Sequence, residues 1–295
     1  MSDVQTGLRR QGVLMALCAA FCTSTAGVAV RLMEQANALD ILLLRSFSFF
    51  AFLAIFISLT RRTGLVGSVR SFNINSFIAA TALTVSQFCF IYALLETTIS
   101  NVVLTMAGVP AITAVLSIII LGRPVEPRTL AMIGLCFLGI GIMVSGGLRQ
   151  GSTLGFALSL IASISFSFML TFVKKQGDTD TLATFLLSAF MTFIACLVMQ
   201  FSFNGTFLDI VLCIYLGIVT MGIQHILVNG AIQRIETTLV GLLTRSQAIM
   251  APLWAVLLLG ESIATMTLVG GGLIAIALTT EAVAATKAKR GGPRF

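Results

Sequence analysis

Residues 237–259 read TTLVGLLTRSQAIMAPLWAVLLL, an apolar stretch with a single charge, Arg245. A helix crossing about 30 Å of hydrocarbon needs roughly 20 mostly apolar residues, so this stretch predicts a membrane span. Nine others have the same character, at 12–33, 41–60, 76–95, 99–121, 129–147, 154–173, 181–201, 208–229 and 265–285. Turn and charge signals separate them, as in Arg61-Arg62-Thr63-Gly64, Gly122-Arg123-Pro124 and Lys174-Lys175-Gln176-Gly177-Asp178. The 22-residue first run, Gly12 to Met33, is too long for a signal-peptide core and lacks a cleavage site. It reads as a retained helix. The expected fold is an all-α integral membrane protein with ten transmembrane helices.

Composition agrees. Of 295 residues, 57% are apolar and 10% charged, against about 45–50% and about 25% in soluble domains. The 22 Phe also exclude a disordered chain. A net charge of +7 suggests nucleic acid only until the basic residues are placed. Counted by alternating loops, the N-terminal side holds fourteen: Arg9, Arg10, Arg61, Arg62, Arg70, Arg123, Arg128, Lys174, Lys175, Arg234, Lys287, Lys289, Arg290 and Arg294. The opposite side holds two, Arg31 and Arg149, and Arg45 and Arg245 lie within spans. That bias puts both termini in the cytoplasm.

Several chemistries are excluded. The single His, His225, and six scattered Cys show no metal-ligand spacing. No GxxxxGK[ST] is present, so no cofactor or nucleotide is expected. The cysteines (18, 22, 89, 136, 196 and 213) all sit in apolar runs and read as packing residues.

An internal duplication is visible. Gly12, Ala16, Ala20 and Ser24 recur 143 positions later as Gly155, Ser159, Ser163 and Ser167. Such small-residue stripes let helix backbones approach closely. At an offset of 138, Gln87 matches His225, Ala93 matches Ala231, and Leu121-Gly122 matches Leu259-Gly260. Five helices per copy is odd, so the copies enter the membrane from opposite sides and form inverted repeats. This architecture is common in secondary transporters. The expected divisions are 1–147, 148–286 and a basic cytoplasmic tail, 287–295.

These features resemble the drug/metabolite transporter superfamily, specifically its EamA-type members. The resemblance rests on Ala93-Leu94, Thr98, Ser100, Pro110 and Leu121-Gly122, then on Ala231-Ile232, Thr237-Thr238, Pro252 and Leu259-Gly260-Glu261. Arg45 matches an Arg frequent in the family's second helix. Arg123 departs from the Glu expected after Leu121-Gly122, and Pro252 falls four residues later than the equivalent of Pro110. The resemblance implies export of small metabolites, often amino acids, from a bacterial inner membrane. Within the family the chain looks most like YddG-like amino-acid exporters.

Arg245 is the sharpest candidate site residue. It lies about 4–5 Å from the middle of its span at about 1.5 Å per residue. An Arg there costs about 2.5–3.5 kcal/mol on insertion scales, and no span carries a mid-depth carboxylate to pair with it. Thr238, Gly241, Ala248 and Pro252 share its face. Arg245 is read as binding the carboxylate of a zwitterionic or anionic substrate. The alternative is a structural Arg held by carbonyls at a broken helix. Gln87 and His225 line the pathway or join helices by hydrogen bonds, and the same two readings hold for Asn101 and Thr105. Tyr92 and Trp254 fall at the outer interface, as belt aromatics or as a gate. Pro110 and Pro252 mark kinks. Arg45 is expected to snorkel outward or to pair with Asp40 or Glu34.

The expected function is a secondary carrier or facilitator exporting small metabolites, amino acids including aromatic and neutral ones above all, by alternating access. A multidrug or cation exporter is the nearest rival, but no acidic residue lies deep in the first or sixth span. A channel lacks a charged ring or filter. An intramembrane enzyme lacks a nucleophile–base pair. The expected partners are a zwitterionic small molecule and the bilayer, with no nucleic acid and no obligate protein.

Overall fold

The computed structural model describes residues 3–60, 64–70, 72–122, 127–147, 153–176, 181–200, 203–235 and 237–290. Arg61, Arg62, Arg123, Arg149 and Arg294 lie outside them, and the side chain of Thr238 is likewise outside the description. The described residues form helices: α1 Asp3–Ser24, α2 Ala26–Arg31, α3 Ala38–Thr60, α4 Gly64–Arg70, α5 Ile74–Glu96, α6 Ile99–Ala107, α7 Val109–Leu121 and α8 Pro127–Gly147. There follow α9 Thr153–Gln176, α10 Thr181–Met199, α11 Phe207–Gly217, a π-helical segment Ile218–Ile223, α12 Gln224–Ile232, α13 Thr237–Thr244, α14 Gln247–Leu259 and α15 Thr265–Arg290.

Among the described residues, seven helical stretches are long and apolar enough to cross a membrane, the first Gly7–Arg31 and the last Phe207–Ile232. Three shorter apolar helices, Leu130–Met143, Gln247–Leu259 and Thr265–Ala277, occupy the places of the other expected spans. The ninth stretch is short because 237–259 is broken at Arg245–Ser246. Large apolar side chains face outward, including Ile55, Leu59, Ile119, Val198 and Ile249. In water this would be an aggregation surface; in a bilayer it is the lipid face. The chain is an integral membrane protein.

Local chemistry sets the helix ends. Asn73 and Thr206 each close a capping box, with Ser76 and Asp209 respectively. Gly122 and Gly260 end α7 and α14 in the left-handed conformation, φ 61° and 65°, where a Cβ would be strained. Two helices break in mid-course. At Gly108 the next residues include Pro110, which has no N–H to donate, and the ladder tightens to Gly108 N–H→Thr105 O, 3.0 Å. At Ser246 the same tightening occurs, with Ser246 N–H→Leu243 O at 3.2 Å and Ala248 N–H→Arg245 O at 2.9 Å. The expectation of a kink at Pro252 needs correction. The discontinuity falls six residues earlier, and Pro252 is buried inside α14.

Small residues control the closest helix contacts, as expected where no hydrophobic force drives helices together. Ser159, Ser163 and Ser167 are fully buried where α9 meets α5, α6 and α7. A Cβ on Gly155 would lie 2.7 Å from Thr97 Cβ and 3.0 Å from the Glu96 carbonyl carbon. A Cβ on Gly12 would lie 2.9 Å from Ile235 Cγ2 and 3.0 Å from Arg234 Cβ. Gly12 and Gly155 are 143 positions apart, and their neighbours 96–97 and 234–235 are 138 apart. Both sequence offsets therefore reappear in one pair of contacts. The α6–α7 and α13–α14 breaks also match at 138, since Val109–Leu121 becomes Gln247–Leu259.

The ends of the bundle differ. The far end, where Arg31, Glu96 and Leu259 lie, holds one apolar cluster spanning α2, α3, α5, α6, α11 and α14, with Val30, Leu42, Leu94, Val102, Leu216 and Ala255 at its centre. At the near end the buried apolar residues form separate groups. One joins α1 to α12 and α13 through Ala16, Ala231 and Val240. Another joins α5 to α9 through Leu83 and Met169, and a third joins α3 to α10 through Leu53 and Ala189.

Candidate functional site

The expected site residues separate into distinct places. Arg245 lies on the two-residue break between α13 and α14 and is half-buried. Among the described residues its guanidinium has no hydrogen-bond or ion-pair partner, and its charge reaches Cys136 on α8. One turn away, a Cβ added at Gly241 would meet nothing within 4 Å. The break thus sets a half-buried cation beside tightened backbone turns.

Gln87 and His225 come together around Met221. The Gln87 amide donates through Nε2 to Ser188 Oγ at 3.1 Å and accepts from Arg45 Nη2 at 3.4 Å. Arg45 also donates through Nε and Nη2 to Met221 Sδ, both at 3.2 Å. The Met221 carbonyl lies 2.6 Å from His225 Nδ1, which makes that nitrogen the N–H donor. Phe185 stands edge-on to the imidazole at 4.1 Å, and Phe49 lies 6.0 Å away. Thr84 and Thr192 extend the polar chain to Ser188.

The expectation for Arg45 is overturned. It neither snorkels nor pairs with Asp40 or Glu34, being 6% exposed and turned inward. Asp40 is held instead by Gln200 Nε2 at 2.8 Å and Asn37 N–H at 3.1 Å. The π-helical segment produces this arrangement by adding a residue to one turn, which rotates Met221 toward Arg45. Gly217 and Gly222 let the segment lie directly on α3, because side chains there would strike Ser48 and Phe52.

Asn101 and Thr105 are placed apart from both groups. Asn101 accepts from Thr267 Oγ1 at 2.7 Å and donates to Thr97 Oγ1 at 3.1 Å. Thr105 bonds back to the Asn101 carbonyl at 2.7 Å. Both join helices. Tyr92 and Trp254 pack on the far-end cluster, and Trp254 Nε1 donates to Ser24 Oγ at 3.0 Å.

Sequence reasoning missed the polar ties across the far end. Asp209 accepts from the backbone N–H groups of Glu34, Gln35 and Ala36 at 3.2, 3.3 and 3.2 Å. Arg31 Nε pairs with Glu261 Oε1 at 3.4 Å, while Glu261 Oε2 accepts from Ile99 N–H at 3.1 Å. Thr25 and Tyr215 share a hydrogen bond of 2.6 Å. Outside this closure lies a cavity of about 470 Å³ lined by Arg31, Thr98, Leu259, Glu261 and Ser262.

A model of the EamA-like transporter family matches residues 10–145 and again residues 153–280. A solved crystal structure that is 17% identical superposes with a TM-score of 0.64, covering 93% of this chain and 99% of its own. That likeness concerns the fold alone. No curated protein matches the sequence.

Proposed function

The chain belongs to the EamA-like transporter family, and from that premise we propose a secondary carrier that exports small carboxylate-bearing metabolites by alternating access. In this reading ten spans form two inverted repeats, 1–147 and 148–286, with 287–295 as a basic tail. The matched glycine contacts and matched helix breaks support the repeat. Both termini lie in the cytoplasm of a bacterial inner membrane, which makes the far end external. The large cluster that bridges six helices there, against smaller clusters at the near end, suits a state open to the cytoplasm.

One observation carries the substrate class: Arg245, half-buried at a broken helix near mid-depth, has no anion among the described residues to neutralise it. Intramembrane ionisable residues are functional by default because their insertion is costly. A substrate carboxylate supplies the missing charge, and amino acids, aromatic and neutral ones included, carry one. This is the property expected of a YddG-like exporter. Thr238, about two turns away in sequence, belongs to the same face, and Pro110 marks the matching break in the other repeat.

Uptake and counterflow in proteoliposomes test the reading, with neutral, aromatic and basic amino acids beside a cationic dye. The expected result is saturable amino-acid exchange that collapses in Arg245→Ala. Unchanged exchange in the variant assigns Arg245 a structural role. Dye transport alone assigns the chain to cation export.

A further inference from the structure

Arg45 is a buried cation with poor partners. A guanidinium has five N–H donors, and here they meet one thioether sulfur and one amide oxygen at 3.4 Å. Among the described residues no carboxylate pairs with it. Its Nη1 donates to no described residue. Sulfur is a weak acceptor, and a buried charge without an anion is costly to keep. The surroundings are fixed all the same. Ser188 holds the Gln87 amide so that its oxygen faces Arg45, and the π-helical segment holds Met221 against the guanidinium.

We propose that Arg45, flanked by Gln87 and Met221, is a second carboxylate-binding subsite, distinct from Arg245. The inference rests on the carrier reading above. A carboxylate takes a guanidinium fork through two parallel hydrogen bonds, and Nη1 together with Nη2 supplies that fork here. Met221 is the displaceable partner, since exchanging a thioether for a carboxylate oxygen strengthens the contact. Phe185, edge-on to His225 and only partly buried, offers an apolar surface for the ligand's side chain. Arg45 lies about 6 Å to the far-end side of the middle of α3 at 1.5 Å per residue, whereas Arg245 lies to the near-end side of its own span's middle. The two cations bracket the mid-depth of the bundle.

The test pairs an amino acid that the wild type transports with its carboxamide, both used as inhibitors of exchange in proteoliposomes. Arg45→Gln is expected to raise the concentration of amino acid giving half-inhibition about 10- to 100-fold, the range of a charged hydrogen bond. The carboxamide value is expected to stay within about twofold, and Arg45→Lys to recover part of the loss. Gln87→Glu serves as a second variant that keeps the buried charge paired. It places a carboxylate on Arg45 and is expected to exclude the amino acid while raising thermal stability. Equal loss for both inhibitors in Arg45→Gln, or wild-type exchange in Gln87→Glu, overturns the subsite. If Arg45→Gln does not fold, Gln87→Glu alone decides. Failure of the wild type to exchange any carboxylate-bearing ligand overturns the carrier reading itself, whatever the variants do.

Discussion

The far end of the bundle is held by a continuous apolar cluster and buried polar ties; the near end has separate clusters and exposed cations. The proposed two-fold relation makes the contrast residue-specific. Arg31 corresponds to Lys174 at the offset of 143, and Glu261 and Asp209 correspond to Arg123 and Ser71 at 138. The ion pair of the far end thus becomes two like charges at the near end, and the carboxylate clasp becomes a hydroxyl. Under the proposed two-fold relation, closure of the near end would set Lys174, exposed here, against a second positive charge instead of a carboxylate. In the proposed carrier the two halves would therefore have unequal latches, a difference that would favour the state closed at the far end.

Removing the strongest tie should show this most clearly. Asp209 is fully buried and accepts from four backbone N–H groups, those of residues 34, 35, 36 and 206. Asp209→Ala is expected to destabilise the far-end-closed state by about 3 kcal/mol, since charged hydrogen bonds each contribute about 1.5–3 kcal/mol and water replaces some of them. Thermal unfolding in detergent, with labelling of a far-end cysteine by an impermeant maleimide, measures it. No change in either reading removes Asp209 from the latch.

The matched glycines sharpen the contrast through packing alone. Gly155→Ala pushes a Cβ against a β-branched carbon and backbone at the far end, whereas Gly12→Ala meets side-chain carbons of Ile235 and Arg234 and no backbone atom among its three nearest. Overpacking that rigid surroundings cannot relieve costs about 1–3 kcal/mol. The expected order is Gly155→Ala above Gly12→Ala in lost thermal stability, and the reverse order contradicts the packing account. The Arg31–Glu261 pair is partly exposed, at 30% and 15%, so Glu261→Gln is expected to cost only about 1 kcal/mol. Its signature is a few-fold rise in far-end labelling. Arg123→Glu should have the smallest effect, offering Lys174 an opposite charge at the solvated near end. It is expected to slow near-end labelling less than threefold, an exposed pair being worth about 0.2–1 kcal/mol, and high salt should erase the change.

Hydropathy located nearly every helix, because the bilayer imposes one length and one composition on a span. The break at Ser246 was hidden, since Pro252 is the visible helix breaker and Ser246 carries no such mark. Arg45 was misread for a related reason. Sequence reports its depth, while the side it faces depends on a π-helical turn 176 positions away at Met221. Asn101 looked like a pathway residue until Thr267, distant in sequence, took its carbonyl oxygen. The small-residue stripes were legible as packing surfaces because burial of Ser159, Ser163 and Ser167 follows from spacing alone. Asp209 was not singled out, because its acceptor role depends on backbone N–H groups more than 170 positions away.

Two-sided cysteine accessibility tests the account most directly. Gly241→Cys, in the open near half, and Ser24→Cys, buried beneath the far-end cluster, would be placed in a cysteine-free background. Each would be labelled in right-side-out and inside-out vesicles, with and without a transported amino acid. The account predicts that Gly241→Cys reacts from the cytoplasmic side at rest, that Ser24→Cys resists the external reagent, and that substrate slows the first while exposing the second. Free reaction of Ser24→Cys from outside at rest, with no response of either site to substrate, would contradict an alternating carrier latched at its far end.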